Sequence, residues 1–296
     1  LPIYHIYSLS VLVLAGYTNG GLNVLITNPR DTDGFVKEIK KWRFTFFNGV
    51  NTLYEALLNH PDIKNVNFDS MKLSGTGGSA CRQSTAERWQ ELTGNVLLEG
   101  YGLSETSPSV SVSPAYLTKF NGFVGLPVPS TEISIRDDEG KQVRRGEPGE
   151  ICVKGPQVMQ GYWGNEEATK EAIDEDGFFK TGDIGTLNSD GFIKIVDRKK
   201  DMILVSGFNV YPNEIEDVVS LHPDIIEAAC IGVDDEKTTE AVKLFVVKSN
   251  PNLSIDEVLD YCRDNFTGYK VPKHIEFIDE LPKSNVGKVL RRSLRD

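Results

Sequence analysis

Cysteine is scarce in this chain. Four of its 296 residues are Cys, at positions 81, 152, 230 and 262, each more than 30 residues from the next. That spacing excludes a Cys-based zinc site and the dense framework of a small secreted domain, and it suits a reducing cytoplasm. Long apolar runs are missing too. The longest nearly apolar stretch, residues 9–16, is too short to span a bilayer and lacks a preceding basic segment, so it is neither a membrane helix nor a signal peptide. Positive charge is in deficit. The 32 Lys and Arg against 43 Asp and Glu leave a net charge of −11, which argues against nonspecific nucleic-acid binding. An initiator Met is absent as well. Leu1-Pro2-Ile3-Tyr4-His5 runs directly into apolar sequence, whereas natural N-termini are usually polar, and the expectation is a piece cut from a longer protein.

What is present is ordinary for a globular chain: 39% hydrophobic and 25% charged residues, with length enough for two domains. Residues 1–107 alternate apolar runs with amphipathic stretches. Buried strands are predicted at 22–27 and 44–47, and helices at 52–58 and 84–92, the second capped by Ser84 with Glu87 three residues on. Such alternation implies an α/β layer structure. Residues 108–198 change to short strands and turns. Strands are predicted at 133–136 and 149–154, and a hairpin joins 184–187 to 192–196 around Asp190-Gly191. This reads as a β-rich, barrel-like module. Residues 199–296 return to an α+β pattern. Pro212 suits the first turn of a helix in which Ile215, Val218 and Val219 share a face. Strands follow at 228–233 and 243–247, and Ser254 with Glu257 is a capping box opening a helix. Near the end, Lys283, Lys288, Arg291, Arg292 and Arg295 form a basic run whose plainest reading is a solvated helix face.

Six segments concentrate glycine and unusual polar residues. Ser74-Gly75-Thr76-Gly77-Gly78-Ser79-Ala80 lets backbone approach a flat or anionic ligand, although a plain turn reads the same. It is neither a Walker loop nor a dinucleotide fingerprint, which argues against a dehydrogenase. In Glu99-Gly100-Tyr101-Gly102-Leu103-Ser104-Glu105-Thr106, two glycines flank a tyrosine that could stack on a purine, and a hydroxyl and a carboxylate follow that suit phosphate and Mg²⁺. A loop with a half-buried Tyr is the plain alternative. Asp176-Gly177-Phe178-Phe179-Lys180-Thr181-Gly182-Asp183 places a carboxylate where it could grip a vicinal diol. In Asp197-Arg198-Lys199-Lys200-Asp201, Arg198 could reach the same ribose or a phosphate, and the charge run also suits a hinge. The fifth segment runs from Ser206-Gly207-Phe208 to Glu216. The sixth, Pro282-Lys283-Ser284-Asn285-Val286-Gly287-Lys288, puts an ammonium beside glycine, where it could neutralise a phosphoryl oxygen.

In this order and spacing the segments resemble the adenylate-forming superfamily of acyl-CoA synthetases, luciferases and nonribosomal-peptide adenylation domains, over essentially the whole chain. Tyr101-Gly102-Leu103-Ser104-Glu105 is similar to the family's Tyr-Gly-x-Thr/Ser-Glu motif, and Pro282 to Lys288 to its C-terminal Pro-Lys-x-x-x-Gly-Lys motif. Residues 176–200 resemble the fatty-acyl-CoA synthetase signature, and the runs 125–129 and 205–214 resemble bacterial long-chain enzymes.

The resemblance implies part of a large α/β N-terminal domain at 1–107, a β-barrel-like subdomain at 108–198 and a small, mobile α+β C-terminal domain at 199–296. It implies an AMP-forming acid–thiol ligase that joins a long-chain fatty acid to AMP and then to coenzyme A, with ATP and coenzyme A as co-substrates and Mg²⁺ as cofactor. By matched motif, Gly77 and Gly78 border the adenine and acyl pocket. Tyr101, with Gly102 beside it, stacks on adenine, Ser104 contacts phosphate and Glu105 holds Mg²⁺. Asp183 and Arg198 grip the ribose, and Lys288 bridges carboxylate and α-phosphate. Lys200 is the hinge, and Gly207 and Phe208 line the thiol tunnel. His5 resembles the family's aromatic-His segment near the acyl site; a satisfied His at a helix start is the alternative. The family's phosphate loop, a Ser/Thr/Gly-rich segment ending in Lys-Gly, has no counterpart here, so the chain alone is expected not to turn over. The resemblance further implies a cytoplasmic enzyme at the inner face of a membrane, and self-association is left open. Rival readings are a ligase for a medium-chain or aryl acid, a carrier-protein loading enzyme, or a nucleotide-binding module that never catalyses.

Overall fold

A computed structural model describes residues 1–284 and 288–295. The chain divides into two compact units, one of Leu1–Thr181 and Thr186–Ile195, the other of Gly182–Gly185 and Val196–Asp296.

The first unit opens with a π-type helix, Ser8–Leu14, that continues into α1 (Ala15–Thr18). Residues 22–27 form no strand, contrary to the prediction, and Leu22 is 78% exposed. An apolar run becomes a strand only where a neighbour pairs its backbone. Next come α2 (Thr32–Ile39), β1 (Phe46–Gly49), α3 (Asn51–Leu58), β2 (Leu73–Gly77), α4 (Gln83–Thr93) and β3 (Leu97–Gly102). Strands β1, β2 and β3 are parallel, as two helix-connected crossovers require. Helix α4 starts one residue before its predicted Ser84 cap. The capping position is Arg82, whose side chain makes no cap, so Ser84 lies inside the first turn. The sheet continues antiparallel through β4 (Ser109–Val112) and β5 (Leu126–Pro127). Its helix-covered face is packed by Phe47, Tyr54 and Trp89, with Phe47 stacked on Trp89 at 5.5 Å and Tyr54 edge-on to it at 4.7 Å. Such aromatic pairs add directionality to the large apolar burial.

The β-rich segment forms an open four-stranded sheet in the order β6 (Glu132–Arg136), β7 (Gly149–Lys154), β8 (Phe179–Leu187) and β9 (Ile193–Arg198), with α5 (Glu166–Ala172) between β7 and β8. Val110, Ile135, Ile151, Val153 and Ile193 form its core.

In the second unit, β10 (Ile203–Val205) and β11 (Phe208–Val210) make a hairpin whose two-residue loop, Ser206 and Gly207, has φ of 52° and 84°. Positive φ at both loop positions matches the right-handed twist of the strands. Pro212 occupies the first turn of α6 (Pro212–Val219), where its missing N–H costs nothing. Strands β12 (Ile225–Asp235) and β13 (Thr239–Lys248) form a long antiparallel pair, and β14 (His274–Phe277) adds parallel to β13. Helix α7 (Ile255–Asn265) carries the reciprocal Ser254–Glu257 capping box. Alternation along β12 sends Ala228 and Cys230 to a core with Ile215, Val219, Val258 and Cys262. Ala229 and Ile231 face a second cluster with Leu281, Val289 and Leu294.

Candidate active site

In the first unit the glycine segment forms β2 from Ser74 to Gly77 and runs on past its end. The buried Tyr54 hydroxyl donates to the Gly75 carbonyl at 2.6 Å, fixing the strand from the helix side. A side chain at Gly77 would meet the Gly100 carbonyl oxygen at 2.9 Å and the Tyr7 ring at 3.1 Å. Gly78 is left-handed, with φ of 82°. Gly102 is the tightest position, because a Cβ there would lie 1.8 Å from the Pro108 carbonyl oxygen. The glycines thus permit close backbone approach in and around β3.

Tyr101 is half-buried and packs against the core beside Val110 and Ile135. Ser104 is exposed at the start of the short turn Ser104–Thr106, and Glu105 is half-buried next to it. The Tyr162 hydroxyl donates to Glu105 Oε1 at 3.1 Å, and the Met159 N–H donates to the Glu105 carbonyl at 2.8 Å. Burial first, then that hydrogen bond, raises the Tyr162 phenol. Sequence reasoning passed over Tyr162; its signal is an aromatic pair, Tyr162-Trp163, set between two glycines. His5 Nδ1 accepts the Tyr7 N–H at 3.3 Å, and the His5 carbonyl accepts from Leu9 at 3.0 Å, an arrangement that closes a helix start.

Sequence reasoning also passed over Glu99. On β3 its side chain is buried and accepts the Cys81 N–H at 3.2 Å, just beyond the glycine segment. Burial pushes its carboxyl up to about 7, against the pull of that hydrogen bond.

The second unit brings three of the candidate residues together. Asp183 is buried in β8, after Gly182 at φ 71°, and Arg198 Nε lies 3.7 Å from Asp183 Oδ1. Lys288 is half-buried, and burial, reinforced by the nearby Arg198, lowers its ammonium to about 8 while Asp183 opposes the shift. Asn285, Val286 and Gly287 of the same motif lie outside the described residues. Lys200 is exposed in the turn Lys199–Asp201. Phe208 is exposed and stacks on Tyr269, centroids 4.7 Å apart and rings inclined by 19°. Gly207 is exposed beside it.

The basic tail is not simply a solvated face. Arg291 is 12% exposed at its side chain, and its Nε and Nη2 donate to the two oxygens of Glu216 at 3.1 and 2.7 Å. Buried Asp197 accepts the Asn213 N–H at 2.7 Å, and Arg295 pairs with Asp201 at 3.0 Å. Local charge pairing overrode the solvated expectation at these positions.

Among the described residues no group of three or more His, Cys, Asp and Glu side chains could hold a metal ion. The fit to Mg²⁺ is therefore that of one carboxylate, Glu105, beside phosphate oxygens and water, the usual coordination of this cation at phosphoryl sites. No helix among the described residues is long and apolar enough to cross a membrane.

Residues 1–163 match the family described as AMP-binding enzyme, and residues 214–288 match the AMP-binding enzyme C-terminal domain. The chain belongs to the AMP-binding enzyme family. Among relatives in this family, a long-chain-fatty-acid–CoA ligase of Yersinia pestis is 55% identical over the whole chain, which covers 52% of that protein. A crystal structure of ATP-bound MatB from Rhodopseudomonas palustris superposes with a TM-score of 0.92 at 34% identity, covering 100% of this chain and 58% of the other. An o-succinylbenzoate CoA synthetase of Bacillus subtilis, solved with the acyl-adenylate OSB-AMP, gives 0.86 at 31%, covering 100% of this chain and 60% of the other. The chain spans about half the length of the curated relatives it matches.

Proposed function

We propose that this chain is the nucleotide-gripping and thiol-facing half of an ATP-dependent long-chain fatty acid–CoA ligase. The observation that carries the proposal is the grouping of Asp183, Arg198 and Lys288 in one unit, in a chain alike over its whole length to ligases of that name. The overall reaction has two steps. The carboxylate attacks the α-phosphorus of ATP and expels pyrophosphate, giving an acyl-adenylate. The thiol of coenzyme A then attacks the acyl carbon and releases AMP.

Both steps build anionic charge, so placed cations and positioned reactants supply the acceleration. Asp183 accepts hydrogen bonds from the ribose diol, and Arg198, paired with it, aims that carboxylate. Lys288 bridges the attacking carboxylate and the α-phosphate. Its lowered pKa leaves it partly neutral near pH 8 and protonated once an anion arrives, because opposite charge favours the ammonium. Tyr101 stacks on adenine, and Ser104 donates to phosphate. Glu105 holds Mg²⁺, which when bound neutralises charge on the departing pyrophosphate, while Tyr162 orients the carboxylate. Gly207 and Phe208 border the path of the thiol, and Lys200 is the residue whose torsions change between the half-reactions. Encounter with the inner membrane leaflet, where long-chain acids partition, belongs to the same reading.

Calorimetric titration tests it. A non-hydrolysable oleoyl-AMP analogue should bind the chain, and Asp183→Ala should weaken binding at least about tenfold, the cost of one lost charge-assisted contact. No binding, or equal binding by the variant, contradicts the reading. In a parallel assay with ATP, Mg²⁺, oleate and coenzyme A, the chain by itself should form no acyl-CoA.

A further inference from the structure

We propose that Arg291 is a positioning residue for Lys288, tying the arm that carries the lysine to the carboxylates of the hinge segment and to Glu216. The role of the lysine itself rests on the function proposed above; the tether is a matter of geometry.

Lys288 sits on an arm held at both ends. On the incoming side, Lys283 pairs with both oxygens of Glu227 at 2.7 Å. Between the sides, Lys283 and Val289 form a bridge, the Ser284 N–H donates to the Lys288 carbonyl at 2.8 Å, and the Leu290 N–H donates to the Pro282 carbonyl at 2.8 Å. On the outgoing side stands Arg291. Besides Glu216, its Nη2 donates to Asn213 Oδ1 at 2.7 Å. Its Nη1 lies 3.9 Å from Asp197 and 3.6 Å from Asp201, the two acids that bracket the Arg198-Lys199-Lys200 hinge segment.

One guanidinium therefore serves α6, the hinge segment and the lysine's arm together. A planar fork with five donors matches this spread of carboxylates, whereas a lysine at 291 has three donors converging on one nitrogen and lacks the bidentate geometry. The carboxylates it serves are buried: Asp197 is fully so, and Asp201 and Glu216 nearly so. Burial pushes Glu216 upward and Arg291 opposes that push, so the charges are retained because they are shared. The consequence is mechanical. The lysine's arm cannot shift relative to α6 and Asp201 without breaking this shared cation, and a change of torsion at Lys200 has to release its contact with Asp197.

The test uses the whole 296-residue chain and needs no catalysis. The rate at which an amine-reactive reagent labels Lys288 is followed against pH by peptide mass spectrometry, with exposed Lys141 as internal standard. Amide exchange at Leu290 and Asn213 is measured in parallel. The charged groups around Lys288 are Arg198, Asp183, Arg291 and Asp201. Wild type should show a labelling midpoint near 8. In R291M the midpoint should move upward, since a nearby cation and part of the burial are lost together, and both amides should exchange at least about tenfold faster. R291K, which keeps charge without the fork, should fall between. A clasp with no influence on the lysine would speed exchange but leave the labelling midpoint where it was, and that outcome overturns the proposal. So does an R291M with wild-type exchange. If R291M does not fold, the same criteria apply to R291K. A failure of the ligase reading would appear as absent analogue binding with the labelling shift intact.

Discussion

The two units hold their candidate residues by opposite means. Around β2 and β3 the first unit uses missing side chains: Gly77 and Gly102 let backbone pass where a methyl group would collide with a carbonyl. The second unit uses charge, with Asp183, Asp197, Asp201 and Glu216 interleaved with Arg198, Lys288, Arg291 and Arg295. Sterics fix the first arrangement and electrostatics the second, so the two should fail differently. Steric positions tolerate salt and pH but not volume. Charged ones tolerate volume better than loss of a partner.

The largest expected effect is at Arg291. Arg291→Met should destabilise the second unit by about 3–5 kcal/mol, because it leaves buried carboxylates without their cation. Replacing Glu216 by Met in the same protein should recover part of that loss in a denaturant titration. A double variant worse than the single would break the contrast.

Next is a pH effect in the first unit. The Glu99 carboxyl is raised from 4.5 to about 7, so its contribution is fully present below 4.5 and is lost as pH rises through 7. Glu99→Gln should therefore gain on wild type between pH 5 and 8, by at most about 3 kcal/mol, read as a growing difference in Tm. Lys288 runs the other way. Its ammonium is lowered from 10.5 to about 8, so the stability it contributes is present above 10.5 and lost as pH falls through 8.

Gly102→Ala comes third. The added methyl meets backbone rather than a yielding side chain, and a loss of roughly 1–3 kcal/mol is expected, the same at low and high salt. Appreciable relief by salt would put charge where we place sterics. Least of all, Glu139→Ala removes an exposed pair with Lys141 and should change stability by less than about 1 kcal/mol.

Much of this was legible in the chain. The Pro212 start, the Ser254–Glu257 box and the hairpin after Ile184 all depend on residues a few positions apart, and each formed as the spacing predicts. Residues 22–27 misled because a strand needs a partner that its own composition cannot announce. Ser84 misled because the helix begins at Gln83 with Arg82 at the cap position, so a residue suited to a cap ends up inside the first turn. The charge clasp was illegible for a different reason. Arg291 and Glu216 are 75 positions apart, and Tyr162 and Glu105 are 57 apart; only folding reveals that the basic tail is partnered. Of the candidate residues, Asp183, Arg198 and Lys288 were legible through motif resemblance, whereas Glu99 was passed over because its significance lies in its burial.

The most direct test of the account is a comparison of half-reactions in the full-length enzyme. Lys288→Ala should depress acyl-adenylate formation from ATP and oleate by on the order of 100-fold or more, as expected for a positioned transition-state cation. Conversion of supplied oleoyl-adenylate to oleoyl-CoA should remain within about threefold of wild type, a change of under 1 kcal/mol in barrier. Equal loss in both steps, or none in the first, would contradict the assignment of Lys288 and with it the reading of the second unit as the nucleotide grip.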